Sequence, residues 1–79
     1  MRTSQGGGKS AMAPLSPREL EVIALMAEGL ATKQIASRLQ LRPATVKNYA
    51  ATIYLKLGVS GRVAAVVRWL QDGERKGNH

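Results

Sequence analysis

The sequence predicts an all-α domain of four short helices. Three observations carry that prediction: apolar residues that recur at spacings of three and four, capping signatures where helices start, and glycines where they stop. With 79 residues, 44% of them hydrophobic, the chain has room for one compact domain with a modest core.

Residues 1–14 are Gly, Ser, Ala and polar, with Gly6, Gly7 and Gly8 in a row. Such a stretch buries too little apolar surface to offset the entropy of ordering it, so a flexible arm or linker is expected there. Gly8-Lys9-Ser10 looks like the end of a phosphate-binding loop. That motif needs a glycine where Thr3 stands and an apolar strand before it, so a chance match is the better reading.

Order is expected over 15–72. Ser16-Pro17-Arg18-Glu19 reads as a capping box: the Ser16 side chain accepts from the Glu19 backbone, Pro17 suits the first helical position, and the Glu19 carboxylate reaches back. Val22, Ile23, Met26 and Ala27 then recur at helical spacing, and Gly29 suits a left-handed stop, which gives a first helix from Pro17 to Glu28. Thr32 is placed to cap a second helix in which Ile35, Ala36 and Leu39 share a face. Lys33 in its first turn opposes the helix dipole unless it and the helix start together meet a phosphate; the plain alternative is a solvated lysine.

After Gln40-Leu41-Arg42, Pro43 opens a third helix over about 43–57, with Val46, Tyr49, Ile53 and Leu57 as its buried stripe. On the other face Arg42, Ala44, Thr45, Lys47, Asn48, Ala51 and Thr52 are short or polar. The backbone can therefore approach a surface closely while Lys47 and Asn48 present donors. Two helices joined by so short a turn match the helix-turn-helix geometry. Gly58 ends the third helix, Ser60 is placed to cap the next, and this fourth helix is expected over about 61–72. Its residues Val63, Ala64, Ala65, Val66, Val67, Trp69 and Leu70 make it apolar nearly all round. The surplus predicts a self-partner or a docking site for another domain. Gly73 should stop this helix and leave 73–79 as a disordered tail.

The formal net charge is +7, from 12 Lys and Arg against 5 Asp and Glu, which points to a polyanionic partner. No acid occurs from Gly29 to Gln71, while Lys33, Arg38, Arg42, Lys47, Lys56, Arg62 and Arg68 all fall there. An ordinary solvated face mixes both signs, so this asymmetry favours a dedicated positive surface. With no cysteine, a lone His79 and no paired carboxylates on a shared face, neither a metal centre nor acid–base catalysis is supported, and no cofactor is expected. No apolar run is long enough to span a bilayer and the start lacks a secretory apolar region, so a cytoplasmic protein without a membrane partner is expected.

The run Leu15-Ser16-Pro17-Arg18-Glu19, Gly29, Ile35-Ala36, Leu39, Thr45-Val46-Lys47, Ile53, Lys56-Leu57-Gly58-Val59, Arg62 and Ala65-Val66 resembles the LuxR-type helix-turn-helix domain of bacterial transcriptional regulators, continuously from Leu15 to about Leu70. The resemblance implies a four-helix fold, double-stranded DNA read by the third helix in the major groove, and a homodimer through the fourth. It implies base-facing positions at Lys47, Asn48 and Ala51, with Asn48 suited to a bidentate contact with adenine, and phosphate-facing positions at Thr32, Lys33, Thr45 and Lys56. Val63, Val67, Trp69 and Leu70 are the dimer candidates.

Four positions depart from the family pattern. Tyr49 stands where many members have histidine, Arg42 where a serine cap is usual, and Trp69 where a small residue is common. Arg42 beside a helix start is tolerable if a DNA phosphate lies between, so it joins the phosphate contacts. Trp69 closes the core or anchors a dimer. Ala51 stands where some members carry a longer side chain, so readout is either thinner here or rests more on DNA shape. RNA polymerase or an attached signal-receiving domain are further candidate partners. Two other readings stay open: a basic module for an anionic membrane or acidic protein, which explains the charge but not the motif order, and a helix-turn-helix that binds another regulator instead of DNA.

Overall fold

The computed structural model describes residues 14–77, with side-chain surroundings for residues 14–72. Apart from Pro14, the expected N-terminal arm lies outside the described residues. Over these residues the chain is four helices in the order α1 Pro17–Ala27, α2 Thr32–Leu39, α3 Pro43–Leu57 and α4 Arg62–Gly77, the all-α architecture expected.

The capping box of α1 forms as its residues dictate. Glu19 N–H donates to Ser16 Oγ at 3.2 Å and Ser16 N–H donates to Glu19 Oε1 at 2.8 Å, with Pro17 at the first helical position. At α2 the cap is Ala31, not Thr32, which is already helical. An alanine offers no acceptor, so Gln34 supplies half a box, its Oε1 accepting from Ala31 N–H at 2.7 Å.

Three helices end the same way. After α1, α2 and α3 the chain turns left-handed at Gly29 (φ 94°), Gln40 (φ 60°) and Gly58 (φ 69°). The next residue then donates back across the turn: Leu30 N–H to Leu25 O at 3.2 Å, Leu41 N–H to Ala36 O at 2.8 Å, and Val59 N–H to Tyr54 O at 2.9 Å. These bonds satisfy carbonyls that a helix end leaves free, and Leu30, Leu41 and Val59 each pack on the core as the motif's hydrophobic partner. Gly73, by contrast, does not stop α4, which runs on to Gly77. One interior glycine costs about 1 kcal/mol of helix propensity, and Glu74, Arg75 and Lys76 are good helix formers.

The core is Val22, Ile23, Leu25 and Met26 from α1, Ile35 and Ala36 from α2, Val46, Ile53 and Leu57 from α3, and Ala65 from α4. Leu25 takes an inward place, and Ala27, expected on the buried face of α1, is exposed. Tyr49 is only partly buried against this core, as are Leu39 and Trp69. Among the described residues no single helix is long and apolar enough to cross a membrane.

Candidate nucleic-acid interface

Gln40, Leu41 and Arg42 connect α2 to α3. Hydrogen bonds fix both ends of the turn: Leu41 N–H reaches back to Ala36 O, and Arg42 O accepts from Val46 N–H at 3.1 Å. Val46, Ile53 and Leu57 then lock the rotation of α3 by burying one stripe. The helical period sets which residues remain outward. Arg42, Ala44, Lys47, Asn48 and Ala51 are exposed, and Thr45 and Thr52 half-exposed. From Ala44 to Ala51 this face runs about 10 Å along the helix axis, at 1.5 Å per residue. Its short side chains let another surface come close, and Lys47 and Asn48 stand out of it with five N–H donors between them.

The surroundings are positive. Lys33 in the first turn of α2, Arg38 near its end, Arg42 at the start of α3 and Lys47 are all exposed, and no carboxylate lies in the sequence between Gly29 and Gln71. Thr32 is half-buried beside Lys33. The Arg42 side chain makes no capping hydrogen bond, so the first N–H groups of α3 carry no side-chain acceptor. The positive end of the helix dipole and a guanidinium thus share one corner of this face.

Lys56 and Arg62, both in that acid-free stretch, are spent inside the fold. Lys56 Nζ donates to Glu19 Oε1 at 2.8 Å and to Pro14 O at 3.3 Å, and Arg62 Nη2 donates to Met26 O at 3.3 Å and to Leu30 O. Glu19 is 5% exposed. Burial pushes its carboxyl up, but the Lys56 hydrogen bond, the Ser16 backbone N–H, the Lys56 charge and the Ser16 side chain together outweigh that and hold it below its ordinary value. Lys56 therefore faces α1, with one ammonium N–H left for any outside acceptor.

On α4 the apolar residues divide. Val63, Val67 and Leu70 are 77%, 46% and 49% exposed and recur at spacings of four and three along one outward face. Trp69 instead is partly buried against the core, in company with Val66 and the fully buried Ala65. The domain-closing reading of Trp69 thus has the packing behind it, and three of the four dimer candidates face out. One exposed residue of α3 escaped the sequence reading altogether: Leu55, which follows Ala51 by one turn on the outer face. Its spacing from Asn48 and Ala51 was the available signal.

The model of the family described as bacterial regulatory proteins, luxR family, matches residues 13–69 of the chain. Among curated relatives, the probable HTH-type transcriptional regulator GfsR of Streptomyces halstedii is 43% identical over 68 residues, covering 86% of this chain and 28% of that protein. The spore germination protein GerE of Bacillus subtilis is 45% identical over 60 residues, covering 76% of this chain and 81% of its own length. Among solved structures, transcription factor GerE superposes with a TM-score of 0.71 at 38% identity, over 76% of this chain and 90% of that one. The response regulator ChrA of a heme-sensing two-component system gives 0.74 at 40% identity, over 76% of this chain and 30% of its own. The chain thus spans under a third of the length of GfsR and of ChrA, and most of GerE.

Proposed function

The chain belongs to the luxR family of bacterial regulatory proteins, whose work is sequence-specific DNA binding in transcription regulation, and from that membership we propose that α3 lies in the major groove of double-stranded DNA. The observation that carries this is the outer face of α3: exposed, short-chained and furnished with Lys47 and Asn48, in a stretch without a single acid. Lys47 and Asn48 would read base edges while Ala51 lets the helix close on them, Asn48 pairing with adenine through one donor and one acceptor. Thr32, Lys33, Arg42 and Thr45 ring that face and would hold phosphates, and Lys56 would add its remaining N–H.

The outward stripe Val63, Val67 and Leu70 supports a homodimer through α4, and a two-fold dimer reads an inverted repeat. Trp69 would support that surface from beneath. A DNA partner in a bacterium puts the working place in the cytoplasm, and the role is that of a binding module, not a catalyst. The match to ChrA, a response regulator, supports an attached signal-receiving domain as a partner; RNA polymerase is a second proposed partner, on the regulatory role of the family alone.

Selection from a randomised duplex pool at two salt concentrations tests the reading. Wild type should enrich an inverted repeat and bind it less tightly as salt rises, and Lys47→Ala should lose preference for that site by about 10- to 100-fold. If wild type enriches nothing and its weak binding ignores Lys47, the groove reading falls; a single enriched half-site would remove the dimer alone. Arg42→Ala should leave the preferred sequence unchanged but lower the slope of log K against log salt by about one, as loss of one phosphate contact requires. An unaltered slope would take Arg42 off the phosphate contacts.

A further inference from the structure

We propose that Leu55 reads a thymine methyl group at the edge of the bound site, a contact that rests on the groove reading above. Leu55 is 82% exposed, the most exposed large hydrophobic residue among those described. It follows Ala51 by four positions and Asn48 by seven, so on a 3.6-residue period the three form one row on the outer face of α3. Ala44 begins that row, and Leu55 ends it as its one branched aliphatic side chain.

The chemistry of the groove narrows the partner. Base edges in the major groove are hydrogen-bond donors and acceptors, with one apolar group among them, the C5-methyl of thymine. An aliphatic side chain in line with the base-reading row therefore has one kind of base edge to bury against. Its length suits its place. Leu55 sits about 10 Å along the axis from Asn48, and a straight helix parts from a curved groove as it leaves the point of closest approach. A short residue such as Ala51 fills the near position, and a longer one is needed to reach the base pairs further out.

The experiment starts from the site wild type selects and replaces its thymines one at a time with deoxyuridine, which keeps every hydrogen-bonding edge and removes only the methyl. Wild type should weaken about four-fold at one position outboard of the Lys47 and Asn48 contacts, the worth of one buried methyl group. Leu55→Ala should bind the parent site about that much more weakly and show no further loss at that position. The exposed place of Leu55 leaves the core untouched, and an unchanged thermal melt of the variant checks this. A flat scan for wild type overturns the assignment, as does a methyl effect that survives in Leu55→Ala, since the methyl is then read by another residue or Leu55 lies against sugar carbons. If wild type selects no site, the groove reading fails first and this assignment with it.

Discussion

Replacing Ile53 with alanine is expected to remove about 2–5 kcal/mol of folding free energy. Ile53 is completely buried, in the middle of the inner stripe of α3 between Val46 and Leu57. Every other helix places a residue in the same core: Ile23 from α1, Ile35 from α2 and Ala65 from α4. Truncation there opens a void that the nine other buried apolar residues among those described are too few to close by shifting. A domain of this size holds only about 5–15 kcal/mol in total, so the variant should be largely unfolded at modest temperature or low urea. Urea titration followed by circular dichroism measures it, with Ile53→Val, expected to cost about 0.5–1.5 kcal/mol, as the graded control. A loss for Ile53→Ala no greater than that of the valine would mean that α3 does not seat on the core along this stripe. DNA binding should fall with folding in both, because the outer face of α3 is held in place by its buried reverse side.

Lys56→Met is expected to cost about 2–3 kcal/mol at neutral pH, because it strands the buried Glu19 carboxylate without its cation. The figure lies below that for a fully enclosed pair because the Lys56 side chain keeps 27% of its surface exposed, against 7% for that of Glu19. The pH dependence separates this from a mere loss of packing. In wild type the Glu19 carboxyl titrates below its ordinary value of 4.5, so its contribution is present above that value and is lost as pH falls through the lower, folded one. Without the Lys56 hydrogen bond and charge the carboxyl should titrate higher than it does in wild type, so that acid costs the variant less than it costs wild type. Denaturation at pH 7 and again well below 4.5 should show the stability gap shrinking. A gap that stays constant would assign the loss to the methylene chain of Lys56 and not to its charge.

Local chemistry made most of the helices legible. Ser16 and Glu19 sit three apart, and a capping box needs nothing beyond that spacing; Gly29 and Gly58 mark turns that a left-handed backbone requires. The misses arise where the deciding partner is not local. Thr32 looked like a cap by residue type, but the helix starts one residue earlier because the Gln34 amide holds Ala31 N–H. Gln40 adopts the left-handed conformation although it is not glycine, since burying Leu41 and closing its bond to Ala36 O outweigh a cost of about 1 kcal/mol. Lys56 and Arg62 counted as surface charge because their acceptors lie far back along the chain, and no periodicity announces such a pair. On the outer face of α3, polarity marks Lys47 and Asn48, while Leu55 goes unseen because an apolar residue in an amphipathic helix is read by default as core.

Arg62 ties the start of α4 to the end of α1 through the carbonyls of Met26 and Leu30, not through any side chain. A peptide carbonyl is the same acceptor whatever residue carries it. Substitutions at the exposed positions Ala27 and Glu28 can therefore accumulate in descendants of this sequence without touching the tie, provided that the helix still ends at the same place. What that corner of the molecule requires is the arginine and the turn geometry set by Gly29, and not the identity of the neighbouring side chains.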